Sequence, residues 1–319
     1  MAEQNNILGD KFVQVPVINK TGSLFRRDPV NPKVVVHEAN QEIVDLMQKE
    51  PYIFTVKTDG TCGMIVSTET GRFTLMRRQD VKVTNRNYQM VMDNGTLQTV
   101  AGVNCFVTKM VRGTQKSSIE VPLYIFQLGP DMKPEPENDT HIIGFTPLLE
   151  NFGDDKYAIT AIKKQDVVSI NGAPGMMLYT TIFDGSLDIR VEPIPVEEIM
   201  GDKLLMTVEI MGSKISNKYG FTNDTHFINP HGSIYYPTAA PEDGSTGKSE
   251  QSDLAPPLDY AGLKEWFEND HNNRWANVEG FVIHFPLSAK RFKIHRGHVG
   301  LEHTWVSKKS SGINFIISG

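Results

Sequence analysis

Cysteine is almost absent: Cys62 and Cys105 are the two thiols in 319 residues. That excludes a disulfide framework and a cysteine zinc site, and it fits a reducing compartment. No apolar run reaches the length of about eighteen residues that a spanning helix needs. The opening residues Met1-Ala2-Glu3-Gln4-Asn5-Asn6 lack the basic head and apolar stretch of a secretory signal. These absences predict a soluble, intracellular protein, with the cytoplasm as the expected location. Positive charge is not in excess either, with a net charge of −6, so no global field attracts a polyanion. No internal repeat and no βαβ alternation are visible, which argues against solenoids and doubly wound sheets.

The composition is otherwise that of a chain able to bury a core, with 39% hydrophobic and 22% charged residues. Residues 8–32 read as irregular. A helix is predicted over Glu38–Lys49, where Ile43, Leu46 and Met47 form one stripe ended by Pro51. Strands are predicted at 52–56, 62–67, 73–76, 157–162, 176–183 and 204–211, with a short acidic helix at 196–200. Residues 131–140 read as a surface loop. The stretch Thr238–Pro257, rich in Pro, Gly, Ser and Asp, reads as a mobile insertion into one domain spanning 1–319, a domain boundary being the rival reading. A helix carrying Leu263, Trp266 and Phe267 and strands around 278–285 and 290–296 close the chain. Short strands with few helices predict an α+β fold built mainly of antiparallel sheets.

The chemistry centres on Thr55-Val56-Lys57-Thr58-Asp59-Gly60-Thr61, where a lysine ends a strand two residues before an Asp-Gly turn. A lysine at the mouth of a partly apolar sheet loses hydration, which favours the neutral, nucleophilic amine. Asp-Gly between strands is also the commonest hairpin signal, so this stretch gains weight from its company. Three further elements follow in order: Val208-Glu209-Ile210-Met211-Gly212, Glu279-Gly280-Phe281-Val282 and Lys293-Ile294-His295.

These four elements resemble motifs I, III, IV and V of the covalent nucleotidyltransferases, the superfamily of ATP-dependent ligases and capping enzymes. Within it the chain is similar to the small eukaryotic and viral ATP-dependent 5′-to-3′ RNA ligase family that includes the vertebrate RNA ligase 1. Asp59-Gly60-Thr61-Cys62, the run Gly212–Gly220, Pro230-His231-Gly232, Leu263–Glu268 and the run Lys293–Leu301 carry that likeness. The resemblance implies an ATP-grasp-like nucleotidyltransferase domain whose antiparallel sheets flank a nucleotide cleft. It also implies ATP and Mg²⁺ (or Mn²⁺) as cofactors, a lysyl-AMP intermediate, and joining of 5′-phosphate and 3′-hydroxyl RNA ends. Too few residues follow Arg296 for the oligonucleotide-binding barrel of DNA ligases and capping enzymes, so none is expected.

On this reading Lys57 is the nucleophile, Lys293 a point charge for the α-phosphate, and Arg77 a ribose or phosphate ligand. Asp59, Glu209 and Glu279 are hard oxygen ligands suited to hydrated Mg²⁺ or to ribose hydroxyls. Val56 and Cys62 stand where many ligases carry Glu and Arg, so reading of the base is expected to fall to backbone groups near Thr55 and Val56. His231 reads as a hydrogen-bonded core histidine, Cys62 as a strand residue beside the site, and His295, His298 and His303 lack the partners of a zinc site. The basic cluster Lys290, Arg291, Arg296, Lys308 and Lys309 is the expected RNA-binding wall, a solvated face being the other reading. A capping-type guanylyltransferase and a catalytically inactive nucleotide- or RNA-binding homologue are the alternatives.

Overall fold

A computed structural model describes residues 16–31, 35–67, 72–114, 117–136, 140–150, 152–153, 155–163, 176–215, 219–221, 224, 226–236, 256–269, 274–301 and 312–318. Residues 237–255, which hold nearly all of the expected insertion, lie outside these, as do His303, Lys308 and Lys309. With strands numbered along the chain, a small sheet has the order β1 (Gly22–Ser23), β16 (Lys290–His295), β15 (Gly280–Phe285), β4 (Ile53–Lys57). A two-stranded ribbon pairs β2 (Phe25–Arg27) with β3 (Val35–Ala39). The large sheet runs β17 (Asn314–Ile317), β12 (Asp188–Pro195), β11 (Met177–Ile182), β14 (His226–Pro230), β13 (Leu205–Gly212), β5 (Thr61–Ser67), β6 (Phe73–Lys82), β10 (His141–Pro147), β9 (Ser117–Ile125), β8 (Val103–Thr114), β7 (Thr96–Val100). Helices are few and short: α1 (Gln41–Lys49), α2 (Asn85–Asp93), α3 (Asp155–Ala158), α4 (Val196–Met200) and α5 (Tyr260–Glu268). The protein is mostly β, with antiparallel-rich sheets, as the α+β expectation requires.

Period-two alternation sorts the small sheet into a dry face and a polar face. Phe54 and Val56 of β4, Phe281, Ile283 and Phe285 of β15, and Phe292 and Ile294 of β16 enter one apolar core. Ile43 of α1 and Leu263 and Phe267 of α5 cover it. Both helices are held at their starts by side-chain caps: Asn40 accepts from Glu42 N–H at 3.1 Å, and Asp259 from Gly262 N–H at 2.8 Å. The first cap explains why the helix expected from Glu38 begins only at Gln41. The large sheet is buried on both faces at its centre. Ile65, Leu75, Val208, Ile210 and Ile228 pack under α4 and Ala158, while Met64, Val66, Met76, Phe145 and Leu205 pack on the other side.

One local expectation is corrected. Residues 157–162, expected as a strand, continue α3 into a 3-10 turn at Ile159–Ala161 and make only an isolated bridge at Ile162. The cause is tertiary. Asp155 at the start of α3 is fully buried and accepts from Arg112 at 2.6 and 2.9 Å and from Leu149 N–H at 3.1 Å, an anchor that outweighs the β-propensity of the following residues. Asp59-Gly60 is the expected turn between two strands, but the strands belong to different sheets, because β4 pairs with β15 whereas β5 pairs with β6 and β13. The turn carries the chain from the small sheet to the large one. Glycine is required there, since a Cβ on Gly60 would lie 2.4 Å from the Ile210 carbonyl oxygen.

Phe281 is fully buried, edge-on to Phe54 at 5.3 Å, so Phe281→Ala is expected to lower the unfolding free energy by about 3–5 kcal/mol. Leu97→Ala on exposed β7 is expected to stay within about 0.5 kcal/mol. Urea unfolding of the two variants checks both, and equal losses would contradict this placement of the core.

Candidate active site

The polar face of the small sheet looks across a cleft of about 190 Å³ at one face of the large sheet. From the small sheet come Thr55 and Lys57 of β4, Val282 and His284 of β15, and Arg291 and Lys293 of β16. From the large sheet come Cys62 of β5, Arg78 of β6, Glu209 of β13, Asn229 of β14 and, just beyond it, His231. Cys62, Glu209 and Asn229 stand side by side because the register pairs Glu209 with both of the others. Val17, Asn19, Lys20 and Thr21 also line the cleft. Their segment bridges the two walls: Val17 N–H donates to Thr207 Oγ1 at 2.7 Å, and Arg291 Nη1 donates to the Pro16 carbonyl at 2.8 Å.

Lys57 ends β4 with its side chain 23% exposed, and its Nζ donates to Glu279 Oε1 at 2.9 Å. Glu279 is buried and its second oxygen, Oε2, has no hydrogen-bond partner. Lys293 lies on the same wall. Burial holds its ammonium below the usual lysine range, and repulsion from Lys57 and then Arg27 adds to this. Across the cleft His231 Nε2 lies 3.0 Å from Glu209 Oε2. Tyr219 accepts from Asp59 N–H at 3.2 Å. Its phenol is pushed well above the usual range by burial first, then by the Glu279 charge, so it stays neutral beside the carboxylates. Behind Lys57, the Asn229 amide donates to Thr58 Oγ1 at 3.1 Å, while its carbonyl accepts from Thr181 at 2.7 Å and Ser233 at 2.9 Å. This buried network fixes the turn that follows the lysine.

The sequence was compared with known proteins. The model of the family described as RNA ligase 1 matches residues 15–312. The chain belongs to the RNA ligase 1 family. A comparison with curated proteins gives no match. As an RNA ligase family member, the chain is a ligase whose substrate is RNA, and among the described residues no helix is long and apolar enough to cross a membrane.

Lys57, Glu209 and Lys293 line the cleft from three different strands, and Glu279 joins them through its bond to Lys57. Other expected residues take different places. Arg77 turns away from the cleft to Asp155 at 3.4 Å, and its neighbour Arg78 lines the cavity instead. Both faces of β6 are buried, so alternation in the sequence could not decide between the two arginines. Val56 buries its side chain in the core and donates its N–H to the Ile234 carbonyl at 2.8 Å, which removes that amide from any reading of a base. Thr55 faces the cleft and bonds His284 Nε2 through Oγ1 at 2.8 Å.

Three of the five residues of the basic cluster are described. Lys290 pairs with Glu42 of α1, Arg291 clamps Pro16 in the cleft, and Arg296 donates to the Ala276 carbonyl at 3.1 Å over the Phe267 ring. His231, His284, Asn229, Tyr219 and residues 17–21 were not assigned to the site by sequence. The runs Pro230-His231-Gly232 and Gly212–Gly220 were the signals that touched two of them, His231 and Tyr219.

The donor set fits a hydrated divalent cation, which the resemblance implies. Glu279 supplies a buried hard oxygen without a partner, the feature expected where a cation is to be held. Among the described residues no three His, Cys, Asp or Glu side chains close around one point. Such an ion would therefore be held by one or two of Glu279, Glu209 and Asp59, with water completing its shell. Cys62 is no competing nucleophile, since burial, then the Glu209 charge, pushes its thiol up to about 12.

His284 gives the site a pH signature. Burial, then the Arg291 charge, lowers its imidazole from 6.5 to about 3. Between those values the unfolded chain takes up a proton that the folded one refuses, so His284 contributes stability in full above about pH 6.5 and loses it as pH falls toward 3. His284→Gln is expected to flatten the fall in stability between pH 7 and 4.5. Urea midpoints across that range test it, and an unchanged slope would contradict the assignment.

Proposed function

We propose that the chain is an ATP-dependent RNA ligase of the covalent nucleotidyltransferase type that joins 5′-phosphate to 3′-hydroxyl RNA ends. The observation that carries this reading is a lysine, Lys57, at the floor of a two-walled cleft, held by one carboxylate and flanked by a second lysine on its own sheet. In the first step the Lys57 nitrogen attacks the α-phosphorus of ATP, the bond to pyrophosphate breaks, and a phosphoramidate forms. Glu279 Oε1, already hydrogen-bonded to Nζ, is placed to receive the amine proton. Lys293 and Arg78 offer positive charge to the phosphates from opposite walls. A bound divalent cation would supply charge neutralisation at the same phosphates.

The AMP then passes to the RNA 5′-phosphate, forming a phosphoanhydride and freeing Lys57. The RNA 3′-hydroxyl displaces AMP in the last step. Lys20 and Arg78, which share Asp80 at 3.8 and 2.7 Å, line the cleft where the RNA end would arrive.

Intact mass after incubation with ATP and Mg²⁺ should show the gain of one AMP, absent in Lys57→Ala. Lys293→Ala should form the adduct about 10²-fold more slowly or worse. Arg78→Ala should slow it too. Arg77→Ala should act on stability instead, because its partner is the buried Asp155. An adduct that survives in Lys57→Ala would overturn the assignment, a GMP adduct formed in preference would move it to a guanylyltransferase, and no adduct with any nucleotide would leave an inactive binding homologue.

A further inference from the structure

We infer that His231 is a positioning residue that fixes Glu209 to read the ribose hydroxyls of the nucleotide, and that it thereby sets selection of ribonucleotides over deoxyribonucleotides. The inference rests on the nucleotide-cleft reading above. Among the described residues Glu209 is the carboxylate that lines the cleft. Lys57 and Lys293 of the small sheet and Arg78 of the large one suit phosphates, whereas Glu209 can accept from hydroxyl groups.

An ionised carboxylate only accepts, so the 3.0 Å contact between His231 Nε2 and Glu209 Oε2 puts the proton on Nε2. His231 itself is fixed, because its backbone N–H donates to the Thr207 carbonyl at 3.1 Å, on the same strand as Glu209. With Oε2 held by the imidazole, Oε1 is the oxygen left to accept from a ligand hydroxyl. The other ring nitrogen, Nδ1, is buried and has no hydrogen-bond partner. A ring whose remaining nitrogen goes unsatisfied is placed for what Nε2 does to Glu209 rather than for stability. A carboxylate with both oxygens free could swing between hydroxyl and cation, and the histidine commits it to one orientation.

Two substitutions of similar size separate orientation from packing: His231→Gln retains an N–H donor, and His231→Met removes it. The measurement is lysyl-nucleotide formation followed by intact mass with ATP and with 2′-deoxy-ATP at several Mg²⁺ concentrations. The native chain is expected to favour ATP by about tenfold or more in kcat/KM, the range for one hydrogen bond to a charged group. His231→Met should bring the preference within about threefold, through a raised KM for ATP with kcat little changed, and His231→Gln should keep most of it. The inference is overturned if the Met variant keeps the native preference, if Gln and Met behave alike, or if the native chain shows no preference. A Met variant that needs more Mg²⁺ while keeping its ATP preference would also overturn it, by assigning Glu209 to the cation. Absence of any adduct on the native chain would instead remove the ligase reading, and the inference with it.

Discussion

The site depends on strict two-residue alternation in β4, β15 and β16. One set of side chains, Phe54, Val56, Phe281, Ile283, Phe285, Phe292 and Ile294, is committed to the core under α1 and α5. The other set, Thr55, Lys57, Val282, His284, Arg291 and Lys293, is thereby turned into the cleft without any freedom of its own. A slip of one residue would bury Lys57 in β4 or Arg291 and Lys293 in β16 and would expose a phenylalanine in any of the three strands, so hydrophobic burial fixes the position of these side chains. Gly280 serves the same end. It lies opposite Lys57 in the register, and a Cβ there would meet the Ile294 carbonyl oxygen at 2.0 Å.

An acidic chain can still build a cleft rich in cations because its charges are segregated over short distances. Lys57, Lys293, Arg78 and Arg291 face the cleft, and each rests against an acceptor or a neighbouring charge. Arg78 donates to Asp80 at 2.7 Å, and Lys20 lies 3.8 Å from the same carboxylate. The cations are held ready rather than left bare. In a partly buried cleft, a phosphate that displaces one of these acceptors meets charges that solvent screens poorly, which is why local arrangement outweighs the net charge of −6.

The segment 16–21 ties the two sheets together across the cleft, with Val17 bonded to the large sheet and Arg291 of the small sheet bonded to Pro16. From sequence this stretch looked irregular and Arg291 was expected on an RNA-binding wall of the cleft. The structure makes the first a wall of the site and the second its clamp.

The sequence by itself determined the apolar stripes of α1 and α5, the presence of β4, β11 and β13, the helix at 196–200, and the four ordered motifs. Each of these is written in local periodicity or in a short run of residues. Lys57, Glu209, Glu279 and Lys293 were legible for that reason. Only the tertiary structure decided that Arg78 rather than Arg77 meets the cleft, that residues 157–161 coil around a buried Asp155, and that Asp59-Gly60 crosses between sheets. It alone brought His231 to Glu209 and His284 to Thr55, contacts that span 22 and 229 residues. Where both faces of a strand are buried, or where a partner arrives from a distant strand, the local pattern is the same for either outcome, and the pairing of sheets makes the choice.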